Sequence, residues 1–352
     1  MANSFFGRFA KSIGVDLGTA NTLIYIREKG IVVNEPSIVA VNIRNDQIIA
    51  VGRTAKKMLG KTPPHIELIR PLADGVISDF EVTEKMLKFF FQEIMRDASF
   101  KFVRPNIIIG VPLEVTEVER KAVEDAALSA GAREVFLVEQ PMAAAIGSRL
   151  PVTEPTASMI VDIGGGTTDI AVISLSGIAT FRSLRHAGEE LTASIINFAR
   201  EEFNLIIGEH KAEEIKIRIG SAAELPEPQT IEMRGRDLLT GLPKEIIVAD
   251  DQIRRAMSKT LKIIIENIKL TLENTPPELV ADIYEKGMLL TGGGALIKGI
   301  DKAVAAATGI HVRVADDPLT SVVRGTGILI EDPELLNAIR LPTTLYHRAA
   351  NR

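Results

Sequence analysis

Residues 161–175 read VDIGGGTTDIAVISL, and the reading of this stretch decides the fold. An apolar strand over 159–162 ends on Asp162, a glycine triplet turns the chain, and a second apolar strand runs back over 170–174. The same pattern stands 146 residues earlier, where GVDLGTANTLIYI at 14–26 places strands at 13–16 and 23–26 around a turn at 17–22. Each copy runs apolar residue, Asp, apolar residue, Gly, small residues, Thr, then a returning strand. A repeat of this kind predicts two similar halves, each built around a hairpin with a Gly/Thr tip.

Outward from the hairpins, strand-like and helix-like stretches alternate. Met86, Leu87, Phe90 and Ile94 at three-to-four spacing predict a helix over 83–96. A short buried strand at 107–111 is closed by Pro112, and a helix over 115–130 is followed by Gly131 in the position of a C-cap glycine. A strand at 135–138 leads into an Ala-rich helix at 141–148 with Pro near its start. In the second half, apolar residues at 253, 257, 261, 264, 265, 268 and 272 mark one face of a long helix stopped by Pro276-Pro277. A strand at 286–290 then enters Thr291-Gly292-Gly293-Gly294, with a helix expected from about Leu296. Residues 224–242, richer in Pro, Gly and charge, read as a peripheral segment. The fold class expected is α/β: two domains, each a mixed sheet flanked by helices.

Composition narrows the function. With 352 residues, 46% apolar and 25% charged, the chain is an ordinary globular protein of about two domains. Forty-one basic against 46 acidic side chains leave a net charge of −5, without the basic footprint of a nucleic-acid binder, so no nucleic-acid partner is expected. The absence of cysteine excludes disulfides, Cys-ligated zinc and a thiol nucleophile, and fits a reducing compartment. No aliphatic run approaches the ~20 residues of a membrane span. The start, MANSFFGRFAKSIG, lacks the apolar core and cleavage site of a signal peptide, so a cytoplasmic location is expected.

Three glycine-rich turns each follow a short apolar strand: Asp16-Leu17-Gly18-Thr19-Ala20-Asn21, Asp162 through Asp169, and Thr291 through Ala295. Glycine lets phosphate oxygens approach backbone N–H groups closely, and a helix following the third turn would add a favourable dipole. None is a Walker loop or a dinucleotide fingerprint. Glycine is also demanded by tight turns for purely steric reasons. Asp16 and Asp162 have the oxygen chemistry to hold a hydrated Mg²⁺, the alternative being that each caps its own turn; the repeat favours the metal.

The chain resembles the MreB family of bacterial actin homologues, within the superfamily of actin, sugar kinases and heat-shock chaperone ATPases. The resemblance is carried by the two hairpin stretches, by GIVVNEPSIVAV at 30–41, IRPLADGVISDF at 69–80 and QPMAAAIGSRLPV at 140–152, and by TPPELVADIYEKGMLLTGGGALIKGID at 275–301 and DDPLT at 316–320. It runs from about residue 11 to 330. It implies an actin-like two-domain ATPase with ATP or ADP and Mg²⁺ in the interdomain cleft. Asp16, Gly18, Thr19, Ala20 and Asn21 would form the first phosphate loop, and Gly164, Gly165, Gly166 and Thr167 the second. Glu213 and Lys216 would border adenine and ribose, and Gly292, Gly293, Gly294 and Ala295 the adenosine side. Read from spacing alone, Glu213 and Lys216 are equally a surface i,i+3 ion pair. Gln140, Thr167 and Asp162 are the expected catalytic residues. Two positions depart from the family: Gln140 stands where relatives usually have Glu, and Asp169 where they usually have Glu. An amide orients water but does not accept a proton as a carboxylate does.

The domains expected are 1–150 plus 321–352, with a small subdomain at about 34–69, and 151–320, with a small subdomain at about 184–251. Phe5, Phe6 and Phe9 share one side of a helical wheel opposite Arg8 and Lys11, a pattern suited to an anionic leaflet. Phe100 and Phe102 form a second apolar patch near the membrane loop of relatives. Packing on the protein's own surface, or fraying, is the alternative for Phe5, Phe6 and Phe9, and ordinary core anchoring the alternative for Phe100 and Phe102. By resemblance the chain polymerises into filaments on the inner face of the cell membrane and, with MreC, MreD and RodZ, organises wall elongation in a rod-shaped bacterium. The competing readings are a soluble sugar-kinase-like phosphotransferase, for which no carboxylate base stands out, and a chaperone ATPase, for which no substrate module follows the matching segments.

Overall fold

A hairpin whose strands are buried along most of their length lies within the main sheet of each half of the molecule. The structure, a computed structural model, describes residues 12–95 and 104–342. Phe5, Phe6, Phe9, Phe100 and Phe102 lie outside the described residues. The chain divides into two units, Met1–Leu150 with Thr320–Arg352, and Pro151–Leu319.

The first unit opens with β1 (Ser12–Leu17), β2 (Asn21–Ile26), β3 (Gly30–Pro36), β4 (Val39–Asn42), β5 (Gln47–Val51), α1 (Arg53–Lys56) and β6 (Ile66–Ile69). It continues with β7 (Leu72–Ala73), β8 (Val76–Ile77), α2 (Phe80–Met95), β9 (Asn106–Val111), α3 (Glu117–Ser129), β10 (Glu134–Glu139) and α4 (Gln140–Gly147). Its main sheet has the order β10-β9-β1-β2-β3, parallel from β10 through β1 and antiparallel beyond. Ile13, Val15, Ile107 and Ile109 point to the face covered by α2 and α3, where Met86, Leu87, Phe90, Ala126 and Ala127 complete the core. β4, β5 and β6 form a separate small sheet in the order β5-β4-β6.

The second unit contains β11 (Ser158–Ile163), β12 (Thr168–Ser174), β13 (Gly177–Leu184), α5 (Gly188–Phe203), β14 (Leu205–Ile206), α6 (Glu209–Ile219), β15 (Thr230–Asp237) and β16 (Pro243–Ala249). It ends with α7 (Asp250–Glu273), α8 (Pro277–Lys286), β17 (Met288–Thr291), α9 (Ile300–Thr308) and β18 (Val312–Val314). The sheet order is β13-β12-β11-β17-β18, the same arrangement of three antiparallel and two further parallel strands as in the first unit. Registers repeat as well: Asp16 faces Leu23 and Asp162 faces Asp169 across their hairpins, each pair offset by the 146 residues of the sequence repeat. Leu191 and Ile195 of α5, Ile215 of α6 and the stripe Ile253, Met257, Leu261, Ile264 and Ile268 of α7 pack on Met159, Val161 and Ile163. The segment read as peripheral supplies β15, which pairs with β14 and β16 in a second small sheet.

Two sequence expectations are corrected here. The helix expected from about Leu296 begins at Ile300; a four-residue 3₁₀ turn, Gly293–Leu296, comes first, and Gly299 at φ 72° sets up the helix start. The strand expected from residue 286 begins at Met288, because α8 continues to Lys286 and Gly287 at φ 81° reverses the chain.

After the second unit the chain returns to the first through α10 (Ser321–Glu331) and α11 (Pro333–Ile339). Helix α10 lies on the sheet face opposite α2, and glycine makes this possible. A Cβ on Gly14 would stand 2.3 Å from Thr326 Oγ1, and one on Gly110 would stand 2.9 Å from a Val322 methyl. Helices α4 and α10 cross at equally close range: a Cβ on Gly325 would lie 1.8 Å from the Ala143 carbonyl oxygen, and one on Gly147 would lie 1.9 Å from that of Ser321. Backbone cannot yield as a flexible side chain can. Gly325→Ala is therefore expected to destabilise the protein by about 1–3 kcal/mol or more. Val118→Ala, at a position 79% exposed, is expected to stay within about 0.5 kcal/mol of the parent. Urea unfolding midpoints of the two variants check this.

Candidate functional site

The two hairpin turns are closed by the same bond. Gly18 N–H donates to Asn21 O at 3.2 Å, and Gly164 N–H donates to Thr167 O at 2.8 Å, again 146 residues apart. In each turn, other donors then capture the carbonyl oxygens. Ser37 Oγ donates to Gly18 O at 2.6 Å and Ser37 N–H donates to Ala20 O at 3.0 Å. In the second unit, Gly188 N–H donates to Gly164 O at 3.1 Å and Glu189 N–H to Gly165 O at 2.8 Å, both from the first turn of α5. A trans peptide is planar, so a C=O held on one side sends the next N–H to the other. The N–H groups of Thr19 and Asn21, and those of Gly165 and Gly166, are thereby directed away from the donors that hold each turn. This is the arrangement an anion-binding nest needs.

In the first unit Asp16 sits at the end of β1, beside Gly110 of β9 in register. Gln140, at the start of α4 and only 8% exposed, donates from Nε2 to Asp16 Oδ1 at 3.4 Å. Desolvation pushes the Asp16 carboxyl from 3.8 up to about 7, against the smaller downward pull of the Gln140 bond. Glu139, the residue before Gln140, is also raised by burial, with the Arg120 charge opposing. Thr19 Oγ1 accepts from Gly75 N–H at 2.9 Å, so the loop between β7 and β8 steadies the first turn. Ala20 is exposed, while Gly18 and Asn21 are half-buried.

In the second unit the structure brings together Asp162, the second and third glycine turns, and Lys216. A Cβ on Gly292 would stand 2.4 Å from both Asp162 Oδ1 and the Ile163 carbonyl oxygen, and one on Gly294 would stand 2.2 Å from an Ile163 methyl. Glycine at 292 and 294 is thus required by close packing against the strand that carries Asp162. Gly292 N–H donates to Pro318 O, and Thr291 Oγ1 donates to the same oxygen. Gly293 is exposed and Ala295 buried. The α-helix dipole expected at the third turn is absent, since α9 starts at Ile300. Asp169 is buried and accepts a hydrogen bond from Ser183 Oγ at 2.6 Å. Thr167 is buried. On α6, Lys211, Glu214 and Arg218 make the surface ion pairs. Lys216 turns inward, donating from Nζ to Gly188 O at 2.7 Å and Thr192 Oγ1 at 2.8 Å, while Glu213 is half-buried.

Among the described residues no three His, Asp or Glu side chains are grouped to hold a metal ion. The chain offers single carboxylates, a donor set suited to Mg²⁺, which keeps most of its water. A cation would also offset the desolvation that raises Asp16. Sequence reasoning missed Ser37, Gly188 and Thr192, which shape the turns from behind. The only signal was a hydroxyl or glycine within or near a matched stretch.

The profile described as MreB/Mbl protein matches residues 10–338. The chain belongs to the MreB/Mbl family. It is 49% identical over 337 residues to the cell shape-determining protein MreB of Escherichia coli K12, covering 94% of this chain and 96% of that protein. To the cell shape-determining protein Mbl of Bacillus subtilis 168 it is 44% identical over 328 residues, covering 93% and 98%. Among solved structures, MreB5 of Spiroplasma citri bound to ADP superposes with a TM-score of 0.88 at 37% identity, covering 92% of this chain and 96% of that one. The MamK double helical filament superposes at 0.77 with 22% identity, covering 92% and 99%, a likeness of fold. The resemblance read from the hairpins is borne out, and the architecture is the actin-like, two-domain α/β fold of the MreB/Mbl proteins.

One electrostatic consequence is measurable without ligand. Between the unfolded carboxylate range near 4 and the folded value near 7, folded Asp16 keeps a proton that the unfolded chain has lost. The folded state then binds more protons, so stability falls as pH rises through that window. The expected loss attributable to Asp16 is at most about 4 kcal/mol. Asp16→Asn should flatten the pH 4–7 slope of the unfolding free energy in nucleotide-free, metal-free protein.

Proposed function

We propose that the chain binds ATP or ADP with Mg²⁺, hydrolyses ATP slowly, and polymerises into filaments on the inner face of the cytoplasmic membrane that organise cell-wall elongation and maintain rod shape. The observation that carries the reading is the pair of hairpin turns with matching closure, each with its carbonyls held back and its N–H groups directed the other way. Family membership supports the cell-shape role over a soluble phosphotransferase, since relatives at 44–49% identity are named for determining cell shape. The S. citri protein solved with ADP and with AMPPNP supports nucleotide as the ligand.

In this reading Thr19, Ala20, Asn21, Gly164, Gly165, Gly166 and Thr167 receive phosphate oxygens. Asp16 and Asp162 hold a hydrated Mg²⁺, whose charge neutralises the phosphates. Gly292, Gly293, Gly294 and Ala295 line the adenosine side with Glu213 and Lys216. Gln140 orients the attacking water, and Thr167 contacts water or phosphate. The Phe5, Phe6 and Phe9 segment and the Phe100 and Phe102 patch make the membrane contact. Burying three Phe side chains gives at most about 9 kcal/mol before ordering costs, so single subunits bind weakly and a filament binds firmly. MreC, MreD and RodZ are the proposed wall-elongation partners.

Electron microscopy of the purified chain with Mg-ATP and anionic liposomes tests this. Straight filaments coating the liposomes are expected, and the variant with Phe5, Phe6 and Phe9 changed to Ser is expected to form filaments that leave lipid bare. Nucleotide binding without filaments under any condition would remove the cytoskeletal reading. For hydrolysis, Gln140→Ala is expected to slow phosphate release by about 10- to 100-fold with nucleotide affinity retained, as loss of water positioning would. Single-turnover phosphate release separates the two quantities.

A further inference from the structure

On the first unit an apolar groove of about 450 Å³ runs between strand β5 and helix α2. Strand β5 ends the small sheet, whose order is β5-β4-β6, so its outer backbone edge pairs with no strand among the described residues. An edge of this kind presents a row of open N–H and C=O groups. Helix α2 lines the other side of the groove with Lys85, Lys88, Phe89 and Gln92. These stand at i, i+3, i+4 and i+7 and so form one stripe along the helix. The ring of buried Phe90 meets that of Phe89 edge-on, with centroids 5.9 Å apart, and steadies it. Phe89 still remains 39% exposed, and Ile49 of β5 44%.

Charge selects the occupant. The Lys85 ammonium bonds to Asp46 in the turn between β4 and β5, which fastens the helix to the sheet. Lys88 is exposed and makes no hydrogen bond or ion pair among the described residues. An apolar floor beside a free ammonium fits a segment that is both apolar and acidic. The start of this chain, with Arg8 and Lys11, carries the wrong charge. A second copy docking through the same groove would bring its own Lys88 to the contact, again of like charge. The register sets a limit on length. Ala40 faces Ala50 and Val41 faces Ile48, so Ile49 is an extra, bulged residue. A bulge bends the strand and interrupts the ladder, so the edge suits a short segment and resists open-ended stacking of sheets.

We propose that the groove between β5 and α2 is a docking site for a short, extended, acidic segment of a partner protein, which adds to β5 as a further strand. Main-chain bonds to β5 supply much of the affinity, and side chains at alternate positions supply the choice of sequence. One face of the segment covers Ile48, Ile49 and Phe89, and a carboxylate meets Lys88. None of these residues is among those proposed above for nucleotide or membrane, so the site stands apart from both.

The test uses the full, nucleotide-free chain and a fluorescein-labelled synthetic peptide that alternates valine with glutamate, followed by fluorescence anisotropy. Saturable binding is expected. N-methylating every amide of the peptide keeps its side chains and removes its donors, and is expected to weaken binding by about tenfold or more. This comparison is made on the parent chain and needs no variant. Lys88→Glu is expected to weaken the acidic peptide by about tenfold and to bind a valine–lysine peptide in its place. Phe89→Ala is expected to weaken the acidic peptide by about threefold or more. Both positions are exposed, so melting temperatures equal to the parent's are expected. Absence of saturable binding to the parent would overturn the proposal. Equal binding of the plain and methylated peptides would overturn strand addition. Phosphatidylglycerol vesicles held through Lys88, with the peptide ignored, would assign the groove to lipid instead. A mass that rises with protein concentration, more so in Lys88→Glu and with the peptide ignored, would assign it to a second copy.

Discussion

The structure depends on which way a few peptide planes face. A glycine-rich turn alone is a flexible loop that samples many orientations, and flexible N–H groups make a poor anion site because ordering them costs free energy. Here each turn is closed by a bond from its first glycine, and its carbonyls are taken by donors from elsewhere in the same unit. Once those oxygens are held, planarity of the peptide dictates where the following N–H groups go. The ordering cost is met during folding, so it need not be met again on binding.

The two units reach this state by different means. In the first, one residue does most of it: Ser37, at the start of the loop between β3 and β4, uses both its side-chain hydroxyl and its backbone N–H, and Thr22 shares the hydroxyl at 2.9 Å. In the second, the backbone at the start of α5 supplies both donors, and Lys216 fastens that start from α6. A hydroxyl-based hold depends on one buried pair, whereas the helix-based hold draws on a packed face, with Leu191 and Ile195 of α5 anchored in the core. The sheet topology common to both units explains why the turns look alike, and the differing holds explain why the sequences around them do not.

Much of this was legible in the amino-acid order. Alternation of apolar runs with glycine turns locates β1, β2, β11 and β12, and the constant offset of the two Asp residues anticipates equal registers, because a one-residue slip would turn every buried side chain outward. Less legible were features set by distant partners. The helix after the third glycine turn was misplaced by four residues because Leu296 and Ile297 carry apolar periodicity, while the chain first needs Gly299 at positive φ to enter α9. The inward turn of Lys216 was hidden because an i,i+3 acidic–basic spacing looks the same on a wet face as on a packed one. Nothing local marks Ser37 as a partner of a turn 19 residues away.

The amide at residue 140 suits the electrostatics of Asp16. That carboxyl already sits where burial favours its protonated form. A glutamate in place of Gln140 would set a second negative charge about as close as the present 3.4 Å contact, and like charges in a desolvated site raise each other further. The amide does the reverse: it donates a hydrogen bond that stabilises the ionised form, which is the form able to meet a cation. The cost lies in chemistry, because an amide has no lone pair basic enough to take a proton from water at neutral pH. The chain thus pairs an Asp16 that ionises more readily with a neighbour whose amide can orient water but cannot accept its proton.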